Sequence, residues 1–192
     1  PGQLGSKMRS LDGRILSSNF VFSDNKVEEN SLILIYSDES LEQTYTLTIS
    51  AFEDSNTFTL SAKIDSKEPI FMDWLSAPVI QAPQNSNEMI DYGGQWSGEF
   101  RSQKTPWVTG VHLRESRSGT TSHANFPGLL IPTLGSSENS GSCYGFHYGW
   151  SGGHRMIAEQ LPAGRRQVQF GNTENRDQTS GNSFDTANLF IY

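Results

Sequence analysis

The chain has 192 residues, 34% of them hydrophobic, which is enough for one substantial core and predicts a single domain over residues 1–192. Its net charge of −7 at pH 7 excludes the basic surface that binds nucleic-acid phosphates, so we expect no nucleic-acid partner. No apolar run approaches the roughly 18 to 20 residues that cross a bilayer, so we expect no membrane partner.

The single cysteine, Cys143, has no partner for an internal disulfide, and the sequence holds no N-x-S/T glycosylation acceptor. Nothing in these residues requires an oxidising compartment. No charged segment followed by an apolar segment opens the chain, as a secretory signal would. We therefore expect a cytoplasmic location.

From Ser31 onward, apolar and polar residues alternate with the period of two that is typical of half-buried strands. The clearest example is the segment 44–52, where Tyr45, Leu47 and Ile49 share one face and threonines occupy the other. No segment sustains the apolar spacing of a helix. Short polar connections predict antiparallel pairing, and the sequence therefore predicts an all-β fold, a large antiparallel β-sandwich. Strands are predicted at residues 32–36, 44–52, 57–64, 70–77, 95–101, 108–117, 128–133, 142–150, 166–171 and 184–192.

Residues 91–171 hold three of the four tryptophans and all four histidines, His112, His123, His147 and His154, so chemistry is expected in this half. The histidines are separated by 11, 24 and 7 residues, which matches no compact metal-ligand spacing. We expect no metal and no cofactor. Glu115, Glu138 and Glu159 could serve paired-carboxylate glycoside chemistry, and the alternative is that they are solvated charges.

The stretch GFHYGWSGGHR, residues 145–155, combines four glycines, three aromatic rings, two histidines and an arginine. Gly149, Ser151 and Gly153 fit the G-x-S-x-G pattern of a nucleophile, but no helix is predicted to follow, and the hypothesis is rejected. A tryptophan beside hydroxyl and amide groups is suited to stacking on a sugar ring. The alternative for Trp150, as for Trp96 and Trp107, is a place in the core.

Two ordered runs, residues 105–131 and 143–156, carry motifs. An S-R-x-G-x-[ST]-S-H-x-x-x-P pattern is matched by Ser116, Arg117, Gly119, Thr121, Ser122, His123 and Pro127. A W-G-x-H-x-G-W-S-G-N-H-R pattern is matched by Gly145, His147, Gly149, Trp150, Ser151, Gly152, His154 and Arg155. The chain thereby resembles the N-terminal domain of α-galactosidases of glycoside hydrolase family 36. It departs from the family at Gly153, where asparagine is usual, and at Tyr144, where tryptophan is usual.

The resemblance implies a supersandwich similar to that of galactose mutarotases, of which residues 1–192 would form the later part. It implies a noncatalytic domain beside a (β/α)₈ barrel that carries two catalytic aspartates, in a retaining, cofactor-free and homo-oligomeric α-galactosidase acting on terminal α-galactosyl units. The domain would pack the barrel, assemble the oligomer and shape the active-site rim.

The resemblance also assigns residues to these roles. Expected contacts to sugar or barrel are His147, Trp150, Ser151, Gly152, His154 and Arg155, and Arg117, Gly119, Ser122, His123 and Pro127 are expected to be structural. Two alternatives stay open, a free-standing carbohydrate-binding module and a small mutarotase-like enzyme that uses a Glu and a His.

Overall fold

The computed structural model describes residues 2–117, 124–173 and 179–192. Within these ranges the chain forms strands and no helix, which confirms the all-β prediction. Accordingly, the described residues contain no helix that is long and apolar enough to cross a membrane. The strands are β1 (Ser6–Ser10), β2 (Ile15–Leu16), β3 (Val21–Glu28), β4 (Ser31–Asp38), β5 (Gln43–Ala51), β6 (Phe58–Leu75), β7 (Ile80–Gln81), β8 (Glu88–Gln95), β9 (Gly98–Pro106), β10 (Gly110–Ser116), β11 (Asn125–Pro132), β12 (Cys143–Tyr148), β13 (His154–Gln160), β14 (Arg166–Asn172), β15 (Gly181–Asp185) and β16 (Leu189–Ile191).

The strands form two antiparallel sheets. The large sheet has twelve strands, nine of them in the order β3-β4-β5-β6-β16-β12-β11-β8-β9. Strands β1 and β15 pair with β6, and β2 pairs with β1. The small sheet has four strands in the order β10-β13-β14-β7. The chain therefore passes repeatedly between the sheets, and the predicted sandwich is confirmed.

Strand β6 joins two predicted strands, 57–64 and 70–77, into one continuous strand of 18 residues. The polar segment between the two predicted strands includes Pro69. Pro69 is tolerated because β6 exchanges ladder partners there: pairing with β5 ends at Ser66, and pairing with β1 runs to Ile70. One long strand thus ties together β5, β16, β15 and β1.

Other predictions were wrong in detail. The predicted strand 95–101 contains a turn, in which Ser97 has a φ of 66° and separates β8 from β9. The predicted strand 184–192 is interrupted between Asp185 and Leu189. Strand β13 was missed because five of its seven residues are buried, so both of its faces are covered and it shows no alternation.

The main core lies between the two sheets. Its largest buried side chains come from both sheets: Leu129, Tyr148 and Leu189 from the large one, and Met156 and Phe170 from the small one. A second, smaller core surrounds β1 and β6. The main core fixes the relative position of the strand ends that frame the candidate site.

Candidate functional site

Three strands of the small sheet reach the same end of the sandwich in register. Ser116 at the end of β10 pairs with His154 at the start of β13, and His154 pairs with Asn172 at the end of β14. At each of these residues the chain passes between the small and the large sheet. We call this region, including the turn Gly149–Gly153, the crossover end. Segments distant in sequence meet here, and both motif runs lead into it.

The turn Gly149–Gly153 is anchored on both sides. The amide of Gly149 donates to Asn188 O at 2.8 Å, and the amide of Thr173 donates to Gly153 O at 3.1 Å. A Cβ atom on Gly153 would lie 2.3 Å from Thr173 Oγ1, so the glycine permits this close approach. The departure from asparagine at position 153 therefore fits the packing of Thr173 in this chain.

Two exposed tryptophans lie at the crossover end. Trp150 is 45% exposed, and Gly152 lies so close that a Cβ there would be 2.6 Å from the indole Nε1. Trp96, which is 82% exposed, lies in the β8–β9 turn beside the start of β11, where the amide of Gly94 donates to Ala124 O. The core interpretation applies to Trp107, which is buried, and not to the other two.

Glu115 joins the arginines of the two motif runs. Its Oε2 accepts a 2.6 Å hydrogen bond from Arg155 Nε, and its Oε1 accepts one from Arg117 Nε. The Arg155 guanidinium also lies 5.2 Å from the centre of the Trp74 ring. Partial burial alone would raise the pKa of Glu115, but the hydrogen bonds from Arg117 and Arg155 prevail and hold it below its usual value. The carboxylate therefore stays ionised and braces β10 against β13.

The motif histidines are buried to different degrees. His154 is fully buried; its Nδ1 lies 3.4 Å from Gly152 O, and its Nε2 has no hydrogen-bond partner among the described residues. The ring of His147 lies between Phe126 and Phe190, with centroids 5.2 Å and 6.1 Å away. Burial lowers the pKa of both imidazoles, so both are neutral near pH 7.

A buried tyrosine at the end of β12 anchors the crossover end to the core. The Tyr148 hydroxyl donates to Asn172 Oδ1 at 2.7 Å and accepts from the amide of Ala187 at 3.1 Å. Burial raises the pKa of Tyr148 to about 12, so the hydroxyl keeps its proton. This residue links β12 of the large sheet with β14 of the small sheet.

The structure brings most of the predicted contact residues together. Trp150, Ser151 and Gly152 lie in the turn, and His154 and Arg155 begin β13. His147 lies within β12, before the turn. Gly119, Ser122 and His123 lie outside the described residues. Pro127 is buried within β11 at a register shift, where its missing amide hydrogen costs no ladder bond.

Three contributors were not singled out by sequence reasoning: Trp96 as a member of this site, Trp74 and Thr173. Thr173 follows β14 of the small sheet and Trp74 belongs to β6 of the large sheet, and no local pattern reveals that these segments approach residues 153–155. His112 lies elsewhere, 2.6 Å from the buried Asp91 and bridging the two sheets. In the described ranges no group of three or more His, Cys, Asp or Glu residues is placed to hold a metal ion.

Comparison with known proteins adds the decisive observation: residues 9–178 match the model of the glycosyl hydrolase family 36 N-terminal domain. The chain belongs to this family. As a family 36 N-terminal domain, it is 37% identical over 93 residues to the α-galactosidase of Escherichia coli, covering 48% of this chain and 13% of that protein. It is 28% identical over 152 residues to the α-galactosidase AgaA of Geobacillus stearothermophilus, covering 78% of this chain and 21% of AgaA.

Solved structures share the fold of this family 36 domain. The galactosidase domain of the α-galactosidase-sucrose kinase AgaSK superposes with a TM-score of 0.90 at 19% identity, over 99% of this chain and 30% of that one. The crystal structure of AgaA from Geobacillus stearothermophilus gives a TM-score of 0.87 at 22% identity, over 97% and 29%. The chain thus spans about a fifth or less of the length of the two curated relatives named above.

Proposed function

We propose that this chain is the noncatalytic N-terminal domain of an α-galactosidase, a longer enzyme called here the parent enzyme, which removes terminal α-galactosyl units from galacto-oligosaccharides. The family match over residues 9–178 supports this proposal, as does the similarity to AgaA over 78% of the chain. The catalytic carboxylates would lie on a (β/α)₈ barrel in the remainder of the parent enzyme and perform a double displacement.

We further propose that the crossover end packs against the barrel and shapes the rim of the active site. The observation that carries this proposal is the exposed Trp150 ring on a turn that is hydrogen-bonded at Gly149 and Gly153. A large ring on a braced turn is pre-organised for contact, because little side-chain or backbone entropy remains to be lost. Homo-oligomer assembly and a cytoplasmic location remain expectations from the resemblance and from the residues.

The free-standing carbohydrate-binding module is not favoured. The relatives named above are longer α-galactosidases of which this chain matches only a part. The mutarotase-like alternative has no specific observation in its favour.

The test compares two truncations in the parent enzyme. Trp150→Ala removes the exposed ring of the crossover end. Phe52→Ala removes a similarly exposed ring from the β5–β6 hairpin. Strand β12 reaches the crossover end at Tyr148, and the pairing of Phe146 with Ile191 and of Ile191 with Phe58 shows that the hairpin before Phe58 points the opposite way. We expect Trp150→Ala to lower kcat/KM for raffinose about tenfold, equivalent to about 1.4 kcal/mol of transition-state stabilisation, while Phe52→Ala leaves it unchanged.

The 192-residue chain alone serves as the blank and is expected to release no product from a chromogenic α-galactoside. Equal kcat, KM and oligomeric state for Trp150→Ala and the unmodified parent enzyme would overturn the proposed role of the crossover end. Hydrolysis by the chain alone that is lost on mutating one of its own acidic residues would overturn the noncatalytic assignment.

A further inference from the structure

A cavity of about 580 Å³ lies on the outer face of the large sheet, and none of residues 149–155 lines it. One wall is formed by β8, β9 and β11, and the other by the loop Ser136–Ser142 with Cys143 at the start of β12. The volume falls within the range of about 300 to 1,000 Å³ that is usual for small-molecule sites. Neither the family motifs nor the proposed role of the crossover end accounts for this cavity.

The loop wall is held in shape by its own hydrogen bonds. The amide of Thr133 donates to Ser142 O at 2.9 Å, and Ser136 Oγ donates to the same carbonyl at 2.7 Å. Gly141 has a φ of +97°, and a Cβ there would lie 2.5 Å from Ser136 Oγ, so this close turn requires glycine. Because the loop is already ordered, binding a ligand costs less conformational entropy.

The sheet wall contains an aromatic ring in a fixed position. Tyr92 lines the cavity, and its ring stacks on Phe100 with centroids 4.5 Å apart and an angle of 12° between the planes. Phe100 has a φ of 56°, an unfavourable value for a bulky residue, next to a register shift between β8 and β9. Phe126 packs edge-on against both rings. The irregular backbone thus places Phe100 where it orients Tyr92.

The remaining lining combines apolar and neutral polar groups. Ile90, Leu130 and Pro132 extend the apolar floor beside Tyr92. Hydroxyl and amide groups come from Ser102, Asn139 and Ser140, and the charges are of both signs, with Lys104 3.8 Å from Glu88 and Glu138 nearby. A lining of this kind suits a neutral ligand with one apolar face and several hydroxyl groups, because no strong net charge selects for an ion.

We infer that this cavity binds a neutral pyranoside of the galactoside class, in a surface site separate from the active site of the parent enzyme. The C–H face of the sugar rests on Tyr92 and Leu130, and its hydroxyls bond to Asn139 and Ser102. The choice of galactosides rests on the proposed function. The existence of the site rests on the cavity, the fixed ring and the self-bonded loop.

The test uses the isotope-labelled 192-residue chain and methyl α-galactopyranoside. We expect saturable amide shifts in residues 136–143 and 88–92, with half-saturation in the millimolar range. Cys143 lines the cavity and is the single cysteine of the chain, so its rate of alkylation should fall along the same titration curve. Tyr92→Ala should raise the half-saturation concentration about tenfold, and Asn139→Ala, in the exposed loop, about threefold.

Phe52→Ala is the matched control, since it truncates an exposed ring in the β5–β6 hairpin that does not line the cavity, and it should leave this titration unchanged. Absence of shifts up to about 100 mM sugar, about tenfold above a Kd of about 10 mM, would overturn the inference. Shifts confined to residues 149–155, or shifts that Asn139→Ala does not weaken, would overturn it as well. Such results leave the kinetic test of Trp150 in the parent enzyme unaffected, so failure of the site and failure of the proposed function are distinguishable.

Discussion

Glu115 illustrates how much of a residue's role depends on its neighbours across the sheet. The alternation of β10 indicates a side chain on one face of a strand, which is compatible with a solvated charge. Its role follows only from the register, which places Arg155 directly opposite it in a strand that the sequence pattern did not predict. Arg117 and Arg155 could therefore be recognised as motif residues and Glu115 as a candidate carboxylate, but the three could not be recognised as one ion-paired group.

His154 leads to a prediction about pH. Burial lowers the pKa of its imidazole from the usual 6.5, and the carbonyl of Gly152 and the charge of Glu115 oppose this without prevailing. The unfolded chain then takes up a proton at a higher pH than the folded chain does. The free energy of unfolding should therefore fall as the pH drops from about 7.5 through about 6.5, by at most about 1.4 kcal/mol per pH unit for each such histidine.

Urea unfolding of the chain at three pH values between about 7.5 and 5.5 measures this effect, and His147 contributes with the same sign. The pKa values of Glu115 and Asp91 lie below their usual 4.5 and 3.8, so the stability that these carboxylates contribute is lost only in more acidic solution. His154→Gln should give a shallower pH dependence than the unmodified chain, whatever its overall stability. Equal slopes for the two proteins, or a gain in stability on acidification, would contradict this account.

At the scale of the strands, two glycines show two kinds of close contact, one with backbone and one with a movable side chain. A Cβ on Gly171 in β14 would lie 2.3 Å from the backbone oxygen of Leu75, and the Trp74 ring blocks the same space. A Cβ on Gly145 in β12 would lie 2.7 Å from the ring of Tyr192, a half-exposed side chain that is able to move. The first contact fixes the distance between the two sheets, and the second does not.

We therefore expect Gly171→Ala to lower the free energy of unfolding by about 2 to 3 kcal/mol, because backbone must shift to admit the methyl group. Gly145→Ala should cost less than about 1 kcal/mol. Chemical denaturation of both variants under one condition gives the comparison. If Gly145→Ala proves the more damaging of the two, the assignment of Gly171 as a point of close contact between the sheets is wrong.

The strands predicted best are those whose residues alternate between apolar and polar; β1, β3, β7, β8 and β13 are among those that were missed. The alternation in β5 and in the first half of β6 indicated both strands and their apolar face correctly. Strand β13 is covered on both faces and β7 has only two residues, so neither leaves a periodic signal. The turn at Trp96 and Ser97 was missed because the positive φ falls on a serine, and serine does not indicate a positive φ as glycine does.

For the whole molecule, the sequence could predict the sandwich but not which ends of its strands meet. The stretch 145–155 could be recognised as glycine-rich, and its position beside Thr173 and Trp74 follows from the order of strands in two sheets. That order depends on contacts between residues far apart in the chain. The resemblance in the two motif runs nevertheless predicted the family, which the match over residues 9–178 confirms.

The central claim is that the crossover end packs against the rest of the parent enzyme. Hydrogen–deuterium exchange of the amides in residues 149–155 tests it most directly, measured in the 192-residue chain and in the parent enzyme. The account predicts slower exchange of these amides in the parent enzyme, while the β5–β6 hairpin, residues 52–57, exchanges equally in both. Equal exchange of residues 149–155 in the two proteins would contradict it.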